Sequence, residues 1–321
     1  MNDPTPIESL LKLAGERDQP PAEGLERARA AARQSWQGAL SRPAAMPAPR
    51  SRRFAWAWAA AVLAVVAVPW WLRDLPPAAV EVARVSAVDG EVRLGSGAVT
   101  MASVLRTGEE LTTAEGRVAL AMGDALSLRV DRRTRLRFDR AGHITLLEGA
   151  VYVDSGGLNA HAALHVATPA GVVRHVGTQF QVAVRARDTR VQVREGRVVL
   201  EFKGGETVDL GAGDLADLDG GKLAIERGQP ASGAAWEWAA ATAPPFDIEN
   251  RPLSEFLAWL AREHGWQLRF ADAATQSQVQ GIRLHGSMSG LDAAGMLERA
   301  SLITGVRLSV REDSLLVGVV R

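Results

Sequence analysis

The chain has 321 residues and carries 37 basic and 37 acidic side chains, so its formal net charge at pH 7 is zero. A neutral chain is not expected to be a general nucleic-acid binder, because affinity for the phosphate backbone depends on excess positive charge. The absence of cysteine excludes disulfide bonds, thiol catalysis and metal sites with thiolate ligands.

Residues 1–53 are predicted to form two short amphipathic helices. The first begins at the capping sequence Thr5-Pro6-Ile7-Glu8, and the second follows Pro20-Pro21. Two helices of this length bury too little apolar surface to be stable alone, so a partner protein is expected to complete their core. The alternative is that their apolar side chains pack only on each other. The predicted contacts with the partner are Leu10, Leu11 and Trp36.

Residues 54–72 are nineteen consecutive uncharged residues and are predicted to cross a membrane as a helix. At about 1.5 Å per residue the helix reaches roughly 28 Å, close to the ~30 Å thickness of a hydrocarbon core. Four arginines precede the run, whereas Arg73 beside Asp74 follows it. The positive-inside rule therefore places residues 1–53 in the cytoplasm and the rest of the chain outside. A buried core helix is the alternative.

Residues 82–228, after a predicted linker at 73–81, change to a hydrophobic period of two. Turn signals rich in glycine and aspartate recur about every ten residues, and no long helical pattern interrupts them. This pattern predicts an antiparallel two-layer β domain, either a sandwich or a roll.

Residues 245–321, after a second predicted linker at 229–244, are predicted to form an α/β module of two βαβ units. The predicted elements are a strand at 246–249, a helix at 252–264, strands at 266–270 and 282–285, a helix at 291–303, and strands at 306–310 and 315–319. The predicted fold class is therefore multi-domain and mainly β, with a short cytoplasmic helical segment and one transmembrane helix.

Three stretches of the β domain resemble the conserved region of FecR proteins. They are VGTQFQV at 176–182, VQVREGRV at 191–198 and LGAGD at 210–214. FecR proteins are membrane-spanning regulators of extracytoplasmic-function (ECF) sigma factors. The positions that match the family motif are Gly177, Thr178, Phe180, Glu195 and Gly196.

The C-terminal module resembles the secretin and TonB short N-terminal (STN) module. Residues 246–270 and 284–310 carry this resemblance. FecR proteins have an STN-like module at the same position, so the two resemblances support each other.

The resemblance implies a relay across the bacterial inner membrane, with the N-terminus in the cytoplasm and the C-terminal domains in the periplasm. The implied partners are an ECF sigma factor in the cytoplasm, the signalling domain of a TonB-dependent outer-membrane receptor in the periplasm, and intramembrane or periplasmic proteases. The resemblance implies no cofactor. The segment before the span is shorter and poorer in tryptophan than is usual in the family. Its single tryptophan is Trp36. The alternative is a membrane-anchored envelope scaffold that binds a secretin or a cell-wall component.

The bond Gly177–Thr178 is a candidate for chemistry, because some FecR-type regulators are thought to cut themselves at the Gly-Thr of this motif. The threonine hydroxyl would attack the preceding carbonyl and form an ester that water opens, which requires a nearby base. His175 is the only local imidazole. The alternative is a glycine bulge that directs Phe180 into the core. Otherwise the chain is not expected to be an enzyme.

Two sets of polar side chains are not expected to bind a metal, because neither has a ligand spacing typical of a known site. They are the histidines His161, His165 and His175, and the aspartates Asp209, Asp214, Asp217 and Asp219. Trp236 and Trp238 lie between the two modules and are expected to pack between them.

Overall fold

The computed structural model describes residues 79–123, 126–156, 164–186, 188–202 and 205–319, together with six residues of the N-terminal segment. These six are 26, 27, 29–31 and 33, and they are helical within the second predicted helix. The chain divides into two units, Met1–Leu75 and Pro76–Arg321.

Among the described residues, no helix is long and apolar enough to span a bilayer. The predicted transmembrane helix at 54–72 lies outside these residues. The predicted partner contacts Leu10, Leu11 and Trp36 lie outside them as well.

Fifteen strands form one connected sheet, so the prediction of a mainly β chain is confirmed. In chain order the strands are β1 (Glu81–Asp89), β2 (Val92–Leu94), β3 (Gly97–Ala98), β4 (Val104–Arg106), β5 (Glu110–Thr113), β6 (Arg117–Met122), β7 (Leu126–Val130), β8 (Arg135–Arg140), β9 (His143–Asp154), β10 (His165–Ala167), β11 (Gly171–Arg185), β12 (Asp188–Phe202), β13 (Thr207–Gly211), β14 (Leu215–Asp219) and β15 (Lys222–Glu226).

The long strands β9, β11 and β12 connect the two halves of this sheet. The first part of β9 pairs with β8 and β10, and its last part pairs with β7 and β11. Likewise, β12 pairs with β14 in its first part and with β13 in its second. One pair, β9 with β10, is parallel. The all-antiparallel prediction is wrong there, because the connection returns the chain to the start of β9.

The core of the β domain follows from the alternation of the strands. In β8, Leu136 and Phe138 are fully buried, whereas Arg135 and Arg137 point to solvent. Side chains from β1 to β14 join in the same way in one hydrophobic cluster. Each large buried side chain stabilises the fold by about 1.5–3 kcal/mol through the loss of apolar surface from water.

A bulge interrupts β11 at Gly177 and Thr178, where the pairing with β12 jumps from Val176 to Gln179. Gly177 has a φ of 59°, a left-handed conformation that glycine adopts without steric cost. Beyond the bulge, β11 exchanges its neighbour β10 for β9, and Phe180 is fully buried in the core. The bulge predicted as the alternative to a cleavage site is therefore present.

The chain after β15 has four helices and five strands, and all of these elements except the first helix belong to a C-terminal module with a second hydrophobic cluster. The helices are α1 (Ala234–Ala241), α2 (Leu253–His264), α3 (Ala273–Gly281) and α4 (Ala293–Thr304). The strands are β16 (Arg251–Pro252), β17 (Gln267–Phe270), β18 (Arg283–Leu284), β19 (Val306–Arg311) and β20 (Ser314–Val319). β16 pairs with β18, and a separate sheet has the order β17-β20-β19.

The module differs from two βαβ units in its pairing. The strands on either side of α2 and of α4 do not pair with each other, because β16 joins β18 while β17 and β19 both join β20. Residues 246–249 form no strand, and the short strand β16 follows them. The sequence also does not predict α3, which has little apolar periodicity and is marked mainly by its cap, Asp272, whose carboxylate accepts from the Thr275 amide. The predicted linker 229–244 contains α1.

Gly196 on β12 is expected to tolerate no side chain. Its φ is 82°, and a Cβ there would lie 2.3 Å from the Gly177 carbonyl oxygen. Gly196→Ala should lower the free energy of unfolding by about 3 kcal/mol or more, from overpacking and from the left-handed backbone together. Gly221 is the matched control, because its φ is 85° and nothing lies within 4 Å of its added Cβ.

Gly221→Ala should cost only the backbone contribution, about 1–2 kcal/mol. Urea unfolding of the full-length variants, followed by tryptophan fluorescence, measures both losses. Equal losses at the two glycines would contradict the close approach of β11 and β12.

Candidate functional site

The five residues that match the family motif lie together on the neighbouring strands β11 and β12. Gln179 pairs with Glu195, and Gly196 faces the Gly177–Thr178 bulge. Phe180 lies under the bulge in the core.

Thr178 is held in place through its backbone and not through its hydroxyl group. The Ser155 side chain accepts a hydrogen bond from the Thr178 amide at 2.7 Å. The Ser155 amide donates to the Thr178 carbonyl oxygen at 3.1 Å. Thr178 is fully buried, and its Oγ1 has no hydrogen-bond partner among the described residues. A buried hydroxyl without a partner costs about 1–3 kcal/mol of desolvation free energy.

His175 is the base that the sequence offers for Thr178, but its lone pair is occupied. Its Nε2 accepts a hydrogen bond from the Leu164 amide at 3.0 Å, so its proton is on Nδ1. Its ring packs against Phe180, with 5.5 Å between the ring centroids. Burial, and then the charge of His165, lower the pKa of His175 to about 4. The imidazole is therefore neutral at pH 7, and it accepts a proton only after it releases Leu164.

Beside the bulge, the β domain contacts the end of helix α2 through charged side chains. Arg262 donates to Asp154 Oδ1 from Nη2 and to Glu195 Oε2 from Nη1, both at 2.6 Å. Asp154 also accepts from the side chain of Gln179 at 2.8 Å. Burial raises the pKa of Asp154, but the hydrogen bond and charge of Arg262, together with hydrogen bonds from Gln179 and Gly156, outweigh burial, so the pKa lies below its ordinary value. Asp154 is therefore ionised at neutral pH.

A second ion pair, next to the first along α2, is almost completely buried. Arg129 of β7 donates to Glu263 Oε1 at 2.8 Å, and its Nη1 lies 2.6 Å from Oε2. Arg129 also donates to the carbonyl oxygen of Ala239 in α1 at 2.8 Å. The side chains of Arg129 and Glu263 are only 1% and 7% exposed. Removing one partner of such a pair costs about 3–5 kcal/mol, because the other charge stays buried.

Arg194 completes this contact between the β domain and the C-terminal module. It donates to the carbonyl oxygens of Ala231 and Glu263, at 2.5 Å and 3.0 Å. Its guanidinium lies 4.9 Å from the Trp236 ring centroid, which allows a cation–π interaction. The Trp236 ring is buried edge to face against Tyr152, and Trp238 donates to Gln181 at 3.2 Å. The prediction that these tryptophans pack between the modules is confirmed.

The charged residues of this contact are not among those predicted from the sequence. A signal was available, because Arg129 and Arg194 interrupt the apolar pattern of β7 and β12 at buried positions. An arginine at a buried strand position requires a partner, since unpaired buried charge is costly. The sequence does not identify the partners, because Glu263 is 134 residues away from Arg129 along the chain.

The other polar candidates lie apart from the bulge or have ordinary roles. The His165 and His143 rings contact each other, with Nδ1 and Nε2 2.6 Å apart, and His161 lies outside the described residues. Asp214 accepts from the Gly211 amide within a turn, and Asp217 pairs with Arg190. Within the described residues, no three potential ligands come together at a metal-binding distance.

Comparison with known proteins supports the resemblance seen in the sequence. The sequence model of the family described as "FecR protein" matches residues 104–199, a range that includes the bulge. No curated protein matches the chain. Two crystal structures of a proposed anti-sigma factor from Parabacteroides distasonis ATCC 8503, at 2.50 Å and 1.65 Å resolution, share 15% identity with the chain. Each alignment covers 66% of this chain and 99% of the other, with a TM-score of 0.34, which is too low to assign a fold. The family match therefore confirms the predicted resemblance to FecR proteins over residues 104–199.

Proposed function

We propose that this chain regulates a sigma factor and relays a signal to it across the bacterial inner membrane. The observation that carries the proposal is the FecR family match at residues 104–199. The uncharged run at 54–72 supports a single membrane span with residues 1–53 in the cytoplasm. The β domain and the C-terminal module then lie in the periplasm.

In this proposal, the inner partner is an ECF sigma factor that binds residues 1–53. The short amphipathic helices predicted there leave apolar side chains for a partner to cover, with Leu10, Leu11 and Trp36 as the contacts. A regulator that holds a sigma factor on the membrane, or assists its activation, needs only such a small surface.

The outer partner, in this proposal, is the signalling domain of a TonB-dependent receptor, which docks on the C-terminal STN-like module. Among the described strands, β19 pairs with β20 alone, so one of its edges is free to pair with an added strand. Beside this edge, Leu302, Ile303 and Val310 are 78%, 55% and 37% exposed. A groove of about 570 Å³ is lined by Leu302, Val310 and Trp266, among others.

The occupant proposed for the β19 edge is an extended strand of the receptor, with apolar side chains towards the groove. Arg307 and Arg311 are exposed on the same strand. They favour a partner strand that carries acidic side chains on its other face. The free edge and the groove together provide backbone pairing and side-chain specificity.

The signal, in this proposal, passes by cleavage of the chain rather than by a subtle movement of one helix. A single span transmits a conformational change poorly, whereas proteolysis releases the cytoplasmic segment together with its sigma factor. Self-cleavage at Gly177–Thr178 is one route. The left-handed Gly177 and the unbonded Thr178 hydroxyl support it. The occupied lone pair of His175 means that the base must first be released from Leu164.

The inner partner can be tested by copurification. Residues 1–53, fused to a carrier, are expected to retain an ECF sigma factor encoded beside this gene, because the sigma factor completes the apolar core. Leu10→Asp together with Leu11→Asp should abolish retention, whereas substitutions in the Pro- and Ala-rich segment 41–49 should not. If the wild-type fragment retains no sigma factor, the envelope-scaffold alternative is favoured.

The outer partner can be tested at the β19 edge. The turn at Glu312-Asp313 has two residues, so Arg311 and Ser314 form a hydrogen-bonded pair and the Val310 amide points away from β20. Val310→Pro should therefore keep the fold and weaken binding of the receptor's signalling domain at least tenfold. Val310→Thr retains the amide and the side-chain shape, and it should bind within about threefold of wild type. Calorimetric titration measures both, and equal affinities would move the docking site elsewhere.

Self-cleavage can be tested on a denaturing gel. Wild-type chain should separate into two fragments that meet at Gly177–Thr178, and Thr178→Ala should stay intact because it lacks the attacking hydroxyl. Thr178→Ser keeps a hydroxyl and should still be cut. Identical fragments from Thr178→Ala and wild type would assign the cut to a separate protease.

A further inference from the structure

Arg262 connects the C-terminal module to the motif strands of the β domain. It lies near the end of helix α2, and its guanidinium donates to Asp154 at the end of β9 and to Glu195 in β12. One side chain of the module therefore holds two strands that lie on either side of β11.

Each of these two carboxylates immediately precedes a residue that touches the bulge. Asp154 is followed by Ser155, whose side chain accepts from the Thr178 amide. Glu195 is followed by Gly196, whose backbone lies directly against the Gly177 carbonyl group. Asp154 also holds the side chain of Gln179, the residue after Thr178. The residues that contact the bulge, Ser155 and Gly196, are therefore the sequence neighbours of the two carboxylates that bind Arg262.

The rest of the interface makes the position of Arg262 depend on the docking of the whole module. The next residue of α2, Glu263, forms the buried ion pair with Arg129, and its carbonyl oxygen accepts from Arg194. A movement that lifts the end of α2 therefore breaks all three arginine contacts at once. The carboxylates of Asp154 and Glu195 would then lose their shared cation.

We propose that Arg262 is a positioning residue that keeps the Gly177–Thr178 bulge closed while the C-terminal module is docked. When the module moves away, Ser155 and Gly196 are no longer held against the bulge, and the Gly177–Thr178 segment opens to solvent. This inference rests on the proposed function only for its consequence, in which a partner that docks on the module makes the bond available for cleavage. The mechanical coupling itself concerns only residues of this chain.

The test is amide hydrogen exchange in the full-length chain in detergent micelles, without a sigma factor or a receptor. In Arg262→Gln, the Thr178 amide should exchange at least tenfold faster than in wild type, because Ser155 no longer protects it. Amides of Leu120 and Leu128, in β6 and β7, should exchange at their wild-type rates. Arg269→Gln is the matched control, because Arg269 is exposed on β17 of the same module and its guanidinium donates to the side chain of nearby Gln267.

Glu195→Gln provides a second, milder variant, because Glu195 is 45% exposed and the substitution keeps its shape. It removes one of the two carboxylate charges that pair with Arg262. The exchange rate of the Thr178 amide should therefore rise by a smaller factor, about threefold. Unchanged Thr178 exchange in both variants would overturn the proposal. A uniform acceleration at Thr178, Leu120 and Leu128 would also overturn it, since Arg262 would then act only on global stability. Because no partner is present, failure of this test is distinct from failure of the proposed relay.

Discussion

The structure beyond residue 79 depends on the contact between the end of helix α2 and the β domain. Three arginines, Arg129, Arg194 and Arg262, cross this contact, and two of them are almost completely buried. Desolvation of buried charge offsets much of the Coulomb attraction, so such pairs add little net stability compared with apolar packing. These pairs instead fix the orientation of the two parts, because each planar guanidinium donates its hydrogen bonds in a rigid fork geometry. These interactions fix the module in one orientation. Water that enters the contact can replace their hydrogen bonds.

Within the β domain, the strands that contact α2 also flank the motif at Gly177–Thr178. The strands β9 and β12, which supply Asp154 and Glu195, are also the neighbours of the second half of β11. A β-bulge leaves residues without ladder hydrogen bonds, so its conformation depends on what surrounds it. Here the surroundings are Ser155, Gly196 and the core residue Phe180. The motif residues are therefore needed for the structure of the bulge between β9 and β12, whether or not Thr178 takes part in any chemistry.

The sequence predicts the parts of this fold that follow from local patterns. Alternation in segments such as β8, with Leu136 and Phe138 inward, is sufficient to predict strands and a β core. Local patterns do not predict that β10 runs parallel to β9, or that β16 pairs with β18, because strand pairing is decided by tertiary contacts. The candidate site divides in the same way. The motif at Gly177 is visible in the sequence, whereas its connection to Arg262, 108 residues from Asp154, is not.

The contact between the β domain and the C-terminal module differs in composition from the two hydrophobic cores. The two hydrophobic clusters, one in the β domain and one in the C-terminal module, share no residues, so each part keeps its own core when the contact opens. Between them, the small cluster of Tyr152, Trp236 and Ala239 is the main apolar contribution, and the rest is charge and hydrogen bonding. A contact of this composition is weakened by water far more readily than a hydrophobic core. The buried arginines therefore suit a joint that is well defined when closed and can open without unfolding either side.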